Sequence, residues 1–253
     1  MGSEMCIRDR LYIGAVDGKI YAIDALNGDL HWDYETGGSI VSSFAIEGDV
    51  LVASSRDRYT YVLNSKTGKH RAIFQSGSAL ENSPVISDGI VYVSAATGLT
   101  RAFHATARIL PFEKSIRRIW LQLWVWQLAP SPPFPNSHLW VSRVKDRFQG
   151  NMALANDTLY MPGLSGKVYA INAATGENKW TFNTKQRMLR STPLVVGDTL
   201  IFGTPDGTVY GLNANSGVEK WQVATEGIFD AAPVFAGQKL YLPAGDGTLY
   251  VLH

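Results

Sequence analysis

The chain has 253 residues and a mass of 27.7 kDa, and its 45% hydrophobic content is ample for a real core, which sets disorder aside. Lys plus Arg number 23 against 22 Asp plus Glu, so the formal charge is +1 and no overall basic excess points to nucleic acid or an anionic membrane. The single cysteine, Cys6, excludes an internal disulfide and a cysteine zinc site, and no apolar run reaches the ~18–20 residues of a spanning helix.

Residues 1–10, MGSEMCIRDR, carry no basic region followed by an apolar one and match no strand of the later pattern, so a non-native or disordered leader is expected there. From Leu11 onward the chain repeats. The apolar starts at Leu11, Leu51, Val91, Leu159, Leu200 and Leu240 are spaced 40, 40, 68, 41 and 40 residues apart. In each unit an alternating strand meets a turn, as at Asp17-Gly18, Asp206-Gly207 and Asp246-Gly247, and a second alternating strand follows (KIYAID, KVYAIN, TVYGLN, TLYVLH). A second turn then leads to a tryptophan in AIDALNGDLHW, AINAATGENKW and GLNANSGVEKW, while the second unit, VLNSKTGKHRA, keeps the Thr-Gly turn and loses the Trp. A further strand, centred on Pro84, Pro193 and Pro233, precedes the next start. Four short strands per unit of about 40 residues predict a propeller blade, with about five and a half blades over 11–253.

The string A-x-[DN]-x-x-[TNS]-G-x-x-x-W resembles the tryptophan-docking motif of the pyrroloquinoline-quinone-like β-propeller repeats. That family includes quinoprotein dehydrogenases and the outer-membrane-protein assembly lipoprotein. The resemblance covers nearly the whole chain, and it implies that Trp32, Trp140, Trp180 and Trp221 pack between neighbouring blades. It also implies seven or eight blades, so a fragment is expected here, with any export signal or lipid anchor outside it.

The one long spacing locates an insertion. Trp140 lies 19 residues before Leu159, as Trp32 lies before Leu51, whereas His104 to Trp140 spans 36 residues against 8 for Asp24 to Trp32. The extra sequence therefore falls between the third and fourth strands of the third blade, within 105–137. Strand alternation puts that loop on the face of the first-to-second-strand turns near Asp49, Asp88 and Asp198. The insert carries Arg108, Lys114, Arg117 and Arg118 against Glu113, a local +3, together with Trp120, Trp124 and Trp126. Pro111 and Glu113 suit a helix start and the 130–135 proline cluster its end, although Ile119, Leu121, Leu123 and Val125 also alternate like a strand; a short helix is expected. Its aromatic face either packs on the propeller rim or forms a partner or membrane surface through Arg117, Arg118, Trp120, Trp124 and Trp126.

Aligned on Phe44, Pro84, Met152, Pro193 and Pro233, the fourth place before is always apolar, and the third reads Val41, Glu81, Gln149, Arg190 and Asp230. Glu81, Asn82, Gln149, Asn151, Arg190 and Asp230 are thus candidates for a channel-rim binding ring, set against ordinary solvated strand ends. A quinoprotein dehydrogenase would, by the resemblance, hold pyrroloquinoline quinone and Ca²⁺ in that channel with an Asp base and usually a vicinal cysteine pair. Glu81, Asn82 and Asp230 supply the residue types, but Cys6 is alone and no segment matches the family's catalytic one. His31, His70, His104, His138 and His253 show no metal spacing, and hydrolase, phosphate-loop and zinc-protease motifs are missing. The expectation is an all-β propeller of four-stranded antiparallel blades with one short helical insertion, acting as a non-catalytic protein-interaction scaffold without catalytic residues, metal or cofactor. By resemblance it belongs in the periplasm or bacterial cell envelope, with another protein as partner, possible peripheral membrane contact through the insert, and no nucleic acid. The alternatives are a fragment of a quinone- and calcium-dependent alcohol dehydrogenase, or a sensor module of a larger protein.

Overall fold

The computed structural model describes residues 3–7, 9–106, 113–130, 138–186 and 191–252. Its strands gather in chain order into six antiparallel sheets. The first holds β1 (Ser3–Ile7), β2 (Arg10–Gly14), β3 (Lys19–Asp24) and β4 (Leu30–Glu35); the second β5 (Ala45–Glu47), β6 (Val50–Ser54), β7 (Tyr59–Asn64) and β8 (His70–Gln75). The third comprises β9 (Val85–Ser87), β10 (Ile90–Ser94), β11 (Leu99–His104) and β12 (His138–Arg143), with helix α1 (Glu113–Val125) between the last two. The fourth is β13 (Ala153–Ala155), β14 (Thr158–Pro162), β15 (Lys167–Asn172) and β16 (Asn178–Asn183); the fifth β17 (Leu194–Val196), β18 (Thr199–Gly203), β19 (Thr208–Asn213) and β20 (Glu219–Ala224). The sixth has three strands, β21 (Val234–Ala236), β22 (Lys239–Pro243) and β23 (Leu249–Leu252). Consecutive strands pair within each sheet, and the first strands of adjacent sheets meet, β5 with β9 and β13 with β17. The sheets are therefore blades around a common centre: a β-propeller.

Local chemistry explains the repeated turns. Between the second and third strands an Asp carboxylate accepts the N–H two residues on, as Asp17 from Lys19 at 2.8 Å, Asp57 from Tyr59 at 2.9 Å and Asp246 from Thr248 at 2.8 Å. The residue after that Asp turns left-handed, which glycine does freely at Gly18, Gly207 and Gly247; in blade two the same place is held by Arg58 at φ 77°. Between the third and fourth strands the Asx oxygen of the motif accepts two N–H groups, Asp24 from Leu26 and Asn27, Asn172 from Ala174 and Thr175, Asn213 from Asn215 and Ser216. A left-handed glycine closes that turn, and a β-bulge beside Ala22, Val62, Ala102, Ala170 and Gly211 aims the next strand.

One expectation changes. Residues 3–7, taken as part of a leader outside the propeller, pair antiparallel with β2 from Ser3↔Gly14 to Ile7↔Arg10 and give blade one its first strand. The physical reason is that a free strand edge accepts a partner through main-chain groups alone, so the segment needs no repeat signature to be recruited.

The core is divided among the seams between blades. Ile20, Ile40, Leu51 and Leu63 fill the seam of blades one and two; Val52, Phe74, Val91 and Phe103 that of two and three. Phe148, Leu159 and Met161 lie between blades three and four, Tyr160, Leu200 and Phe202 between four and five, and Val209, Phe229 and Leu242 between five and six. On blade six Val234, Phe235, Leu249 and Val251 are exposed. Each seam buries one face of two sheets, so stability is a sum of neighbour terms around the ring.

Candidate functional site

The tryptophans lock the seams by one geometry. The Nε1–H of Trp32 donates to Ser65 O at 3.0 Å, that of Trp140 to Ala173 O at 2.8 Å and that of Trp180 to Ala214 O at 3.0 Å, each acceptor lying in the next blade. The indole lies over a left-handed glycine of that blade, and a Cβ built on Gly68, Gly176 or Gly217 would stand 2.7, 2.5 or 2.6 Å from the ring. Trp221 packs against the blade five–six cluster, and the room for its indole comes from Gly211 across the strand pair. The seam between blades two and three is built differently. Ala72 stands where the Trp would be, and Phe74 lies 4.0 Å from Phe103, centroid to centroid, with the His138 ring edge-on to Phe74.

The segments entering the inner strands carry the rim candidates. Ile40, Leu80, Phe148 and Phe229 are buried, and Glu81, Gln149 and Asp230, one residue on, are exposed, as alternation requires. Glu81 accepts from Arg56 Nη2 at 3.0 Å, an exposed ion pair that links blades two and three. Asn82 points inward: only 3% exposed, it donates to Ser94 Oγ at 3.1 Å and to Phe148 O at 3.3 Å, and its Oδ1 is buried with no partner among the described residues. Asn151 Oδ1 accepts the Ser83 N–H at 2.9 Å, and Ser83 Oγ accepts the Ser43 N–H at 3.1 Å. These two bonds tie the innermost segments of blades two, three and four into a girdle. Asn82 and Asn151 are therefore part of the frame, whereas Glu81, Gln149 and Asp230 are presented to solvent. Arg190 lies outside the described residues.

Several residues at this end carry no motif. On the third strand of the blades a tyrosine recurs at Tyr21, Tyr61, Tyr169, Tyr210 and Tyr250. Tyr61 O–H donates to Asp57 at 2.6 Å, and Tyr169 O–H donates at 3.0 Å to Asp146, which arrives from the preceding blade and also binds Ser165. Burial, with the neighbouring Asp carboxylates adding to it, pushes both phenols up to about 12. Blade three has Arg101 instead. Its Nη1 donates to Gln75 O at 2.6 Å, its Nε is buried without a partner among the described residues, and desolvation lowers its pKa. The break in the tyrosine column is the sequence signal that marks it. The end of β12 and the loop after it add Arg143, Lys145 and Arg147, exposed on alternate residues around a shallow cleft of about 410 Å³.

The insert leaves the propeller at the opposite end. Ala105 N–H donates to Gly89 O at 2.8 Å, which roots it beside the first-to-second-strand turn of blade three. Trp120, Trp124, Trp126 and Arg118 are exposed.

Comparison with known proteins joins this geometry to a lineage. The family model for the outer membrane protein assembly factor BamB matches residues 16–137 and again 126–253. The chain belongs to that family of PQQ-like propeller repeats. The crystal structure of BamB from Moraxella catarrhalis superposes with a TM-score of 0.56 at 18% identity, covering 96% of this chain and 79% of that one. The WD40 β-propeller domain of Doa1 superposes with a TM-score of 0.64 at 13% identity, covering 98% of this chain and 77% of that one. At such identities the likeness is one of fold. A curated relative, the beta-alanine-activating enzyme of Danio rerio, is 32% identical over 80 residues, which make up 29% of this chain and 7% of that protein. The chain thus spans a small fraction of that relative's length.

The Glu81 carboxylate is turned to Arg56, the Asn82 amide is fixed by Ser94 and Phe148, and among the described residues no three His, Cys, Asp or Glu side chains lie close enough to share an ion. What the rim offers is a set of exposed, mutually different polar side chains, of which Glu81 and Gln149 stand on segments joined by the hydrogen-bonded girdle.

Proposed function

We propose that this chain is a non-catalytic propeller scaffold for protein–protein interaction, working in the bacterial cell envelope in the manner of an outer-membrane-protein assembly factor. The observation that carries the reading is the rim of the BamB-family propeller, where Glu81 and Gln149 stand exposed on segments tied together through Ser43, Ser83 and Asn151, and Asp230 is exposed at the same place before blade six. A rigid frame keeps the entropy cost of binding low, and side chains that differ from blade to blade give an asymmetric surface that one partner matches. Envelope residence is inferred from the family.

The test is site-directed photocrosslinking from position 149 in bacterial envelope membranes, with Glu81→Ala and Asp230→Ala as competitors for the same surface. The expected result is a defined protein adduct, weakened about tenfold when both acids are removed while the far-ultraviolet spectrum is unchanged. Reduction of a dye by alcohols after reconstitution with pyrroloquinoline quinone and Ca²⁺ would overturn the scaffold reading in favour of a dehydrogenase.

A further inference from the structure

Every described side chain from Ile116 to Leu128 is exposed, including Ile119 at 60%, Trp124 at 47%, Trp126 at 69% and Leu128 at 70%. The core clusters take Ala105, where the insert is rooted, and no residue of α1. Yet α1 is a finished helix. Leu128 N–H donates to Leu123 O at 2.8 Å and Gln127 N–H to Trp124 O at 2.9 Å, with Gln127 left-handed at φ 58°, the bonding pattern of a Schellman cap. Trp120 Nε1 donates to Pro130 O at 2.9 Å, which folds the exit of the insert back along the helix. A capped helix that shows its apolar residues to water is prepared for a surface outside the chain.

The pattern of the helix identifies that surface. At about 100° per residue, the positions of Ile119, Leu123, Ile116, Trp120 and Trp124 fall within one arc of roughly 140° with Arg117 at its edge, and those of Lys114, Arg118 and Gln122 fall on the other side, with Leu121 and Val125 between them. The insert bears a local +3 in a chain whose total is +1, so the remainder of the molecule is net acidic. A second copy fits poorly, because a two-fold contact through α1 would bring two +3 inserts together. Thirteen residues span only about 20 Å, short of the ~30 Å hydrocarbon core, and no helix among the described residues is long and apolar enough to cross a membrane. The indoles of Trp124 and Trp126 have no hydrogen-bond partner among the described residues, which suits rings set at a headgroup boundary with one edge wet.

We propose that α1 lies in the plane of an anionic lipid surface, with its Ile119–Leu123–Trp124 side in the boundary of headgroups and acyl chains and its basic residues on the phosphates. The site stands on the geometry of the insert and does not rest on the scaffold reading of the opposite rim. It is tested with the full chain by co-flotation on vesicles of phosphatidylcholine alone or with phosphatidylglycerol added. Partition onto the anionic vesicles is expected to exceed that onto neutral ones at least tenfold and to fall with salt; Arg118→Glu, a change of two charges, lowers it about 10- to 30-fold. Replacing Trp124 and Trp126 together by Ser lowers it at least tenfold on the same vesicles while the far-ultraviolet spectrum and unfolding midpoint hold. Equal binding to neutral and anionic vesicles, binding unaffected by these substitutions, or no binding would each overturn the proposal. In the last case, a dimer or protein complex that dissociates on the tryptophan substitutions would assign the helix to that partner instead.

Discussion

Substituting alanine for one glycine tests the docking geometry of the seams, because the repeat supplies its own control. Gly176 has φ +75°, and a Cβ there would stand 2.5 Å from Trp140 Cε3 and 2.6 Å from Cδ2, where carbon–carbon contacts need about 3.5–4.0 Å. Gly28, the equivalent residue of blade one, has φ +80° and no atom within 4 Å of the same construction. Gly28→Ala therefore carries only the left-handed penalty, about 1–2 kcal/mol, whereas Gly176→Ala adds an overpacking cost of about 1–3 kcal/mol as indole and turn separate. Urea unfolding followed by circular dichroism and tryptophan fluorescence measures the difference, provided the two transitions coincide and m is unchanged. If they diverge, exchange of the Gly176 amide, bonded at 2.8 Å to Asn172 O, reports the local opening. In a Trp140→Ala background, itself destabilised by about 3–5 kcal/mol, the added cost of Gly176→Ala should drop to the Gly28 value. Equal costs at Gly28 and Gly176, or a cycle with no coupling, would refute the claim that the indole seats on that glycine.

Two further outcomes follow from single residues. Tyr61 and Tyr169, raised from 10.0 to about 12, are held neutral by the fold; that stabilisation is complete below about 10 and is lost as pH climbs through 12. Phenolate absorbance should show protons leaving above the ordinary phenol range, Tyr61→Phe or Tyr169→Phe should each remove one of the latest, and a single titration of all tyrosines near 10 would count against the burial argument. Arg58→Gly should raise stability by about 0.5–1 kcal/mol, the strain relieved at φ 77° less the entropy that glycine gains in the unfolded chain; a loss of stability would mean that the Arg58 side chain contributes more than its backbone costs.

What the sequence disclosed follows from how local each feature is. The blade period, the Asx–Gly turns and the tryptophan are legible because each rests on bonds between residues a few places apart, such as Asp24 with Leu26 and Asn27. The helix competed with a strand over Ile119–Val125, and the helical phase won where Glu113 opens the segment and a left-handed Gln127 closes it. The strand at Ser3–Ile7 was illegible because a blade edge recruits main chain irrespective of side chains. At the rim, alternation separated exposed Glu81 from buried Leu80, but the pairing of Glu81 with Arg56 and the inward turn of Asn82 depend on how blades two and three sit together. No spacing within one repeat encodes that.

The departures from the repeat concentrate at one seam, and they are two halves of a single exchange. A tryptophan docks on the third-to-fourth-strand turn of the next blade, so its loss from blade two at Ala72 removes the need for that turn in blade three, which is where the insert stands. With no indole to seat there, the turn could be replaced by a long segment at no cost to docking, provided something else filled the seam; Phe74, Phe103 and His138 fill it. The same blade also exchanges the recurring tyrosine for Arg101 and supplies Glu81, so it is altered at both ends. In a ring whose stability is a sum of seams, one seam rebuilt from aromatic packing in place of a docked indole leaves the other four intact. Blade three can therefore carry an exposed helix at one end and an exposed polar rim at the other without either being required to hold the fold.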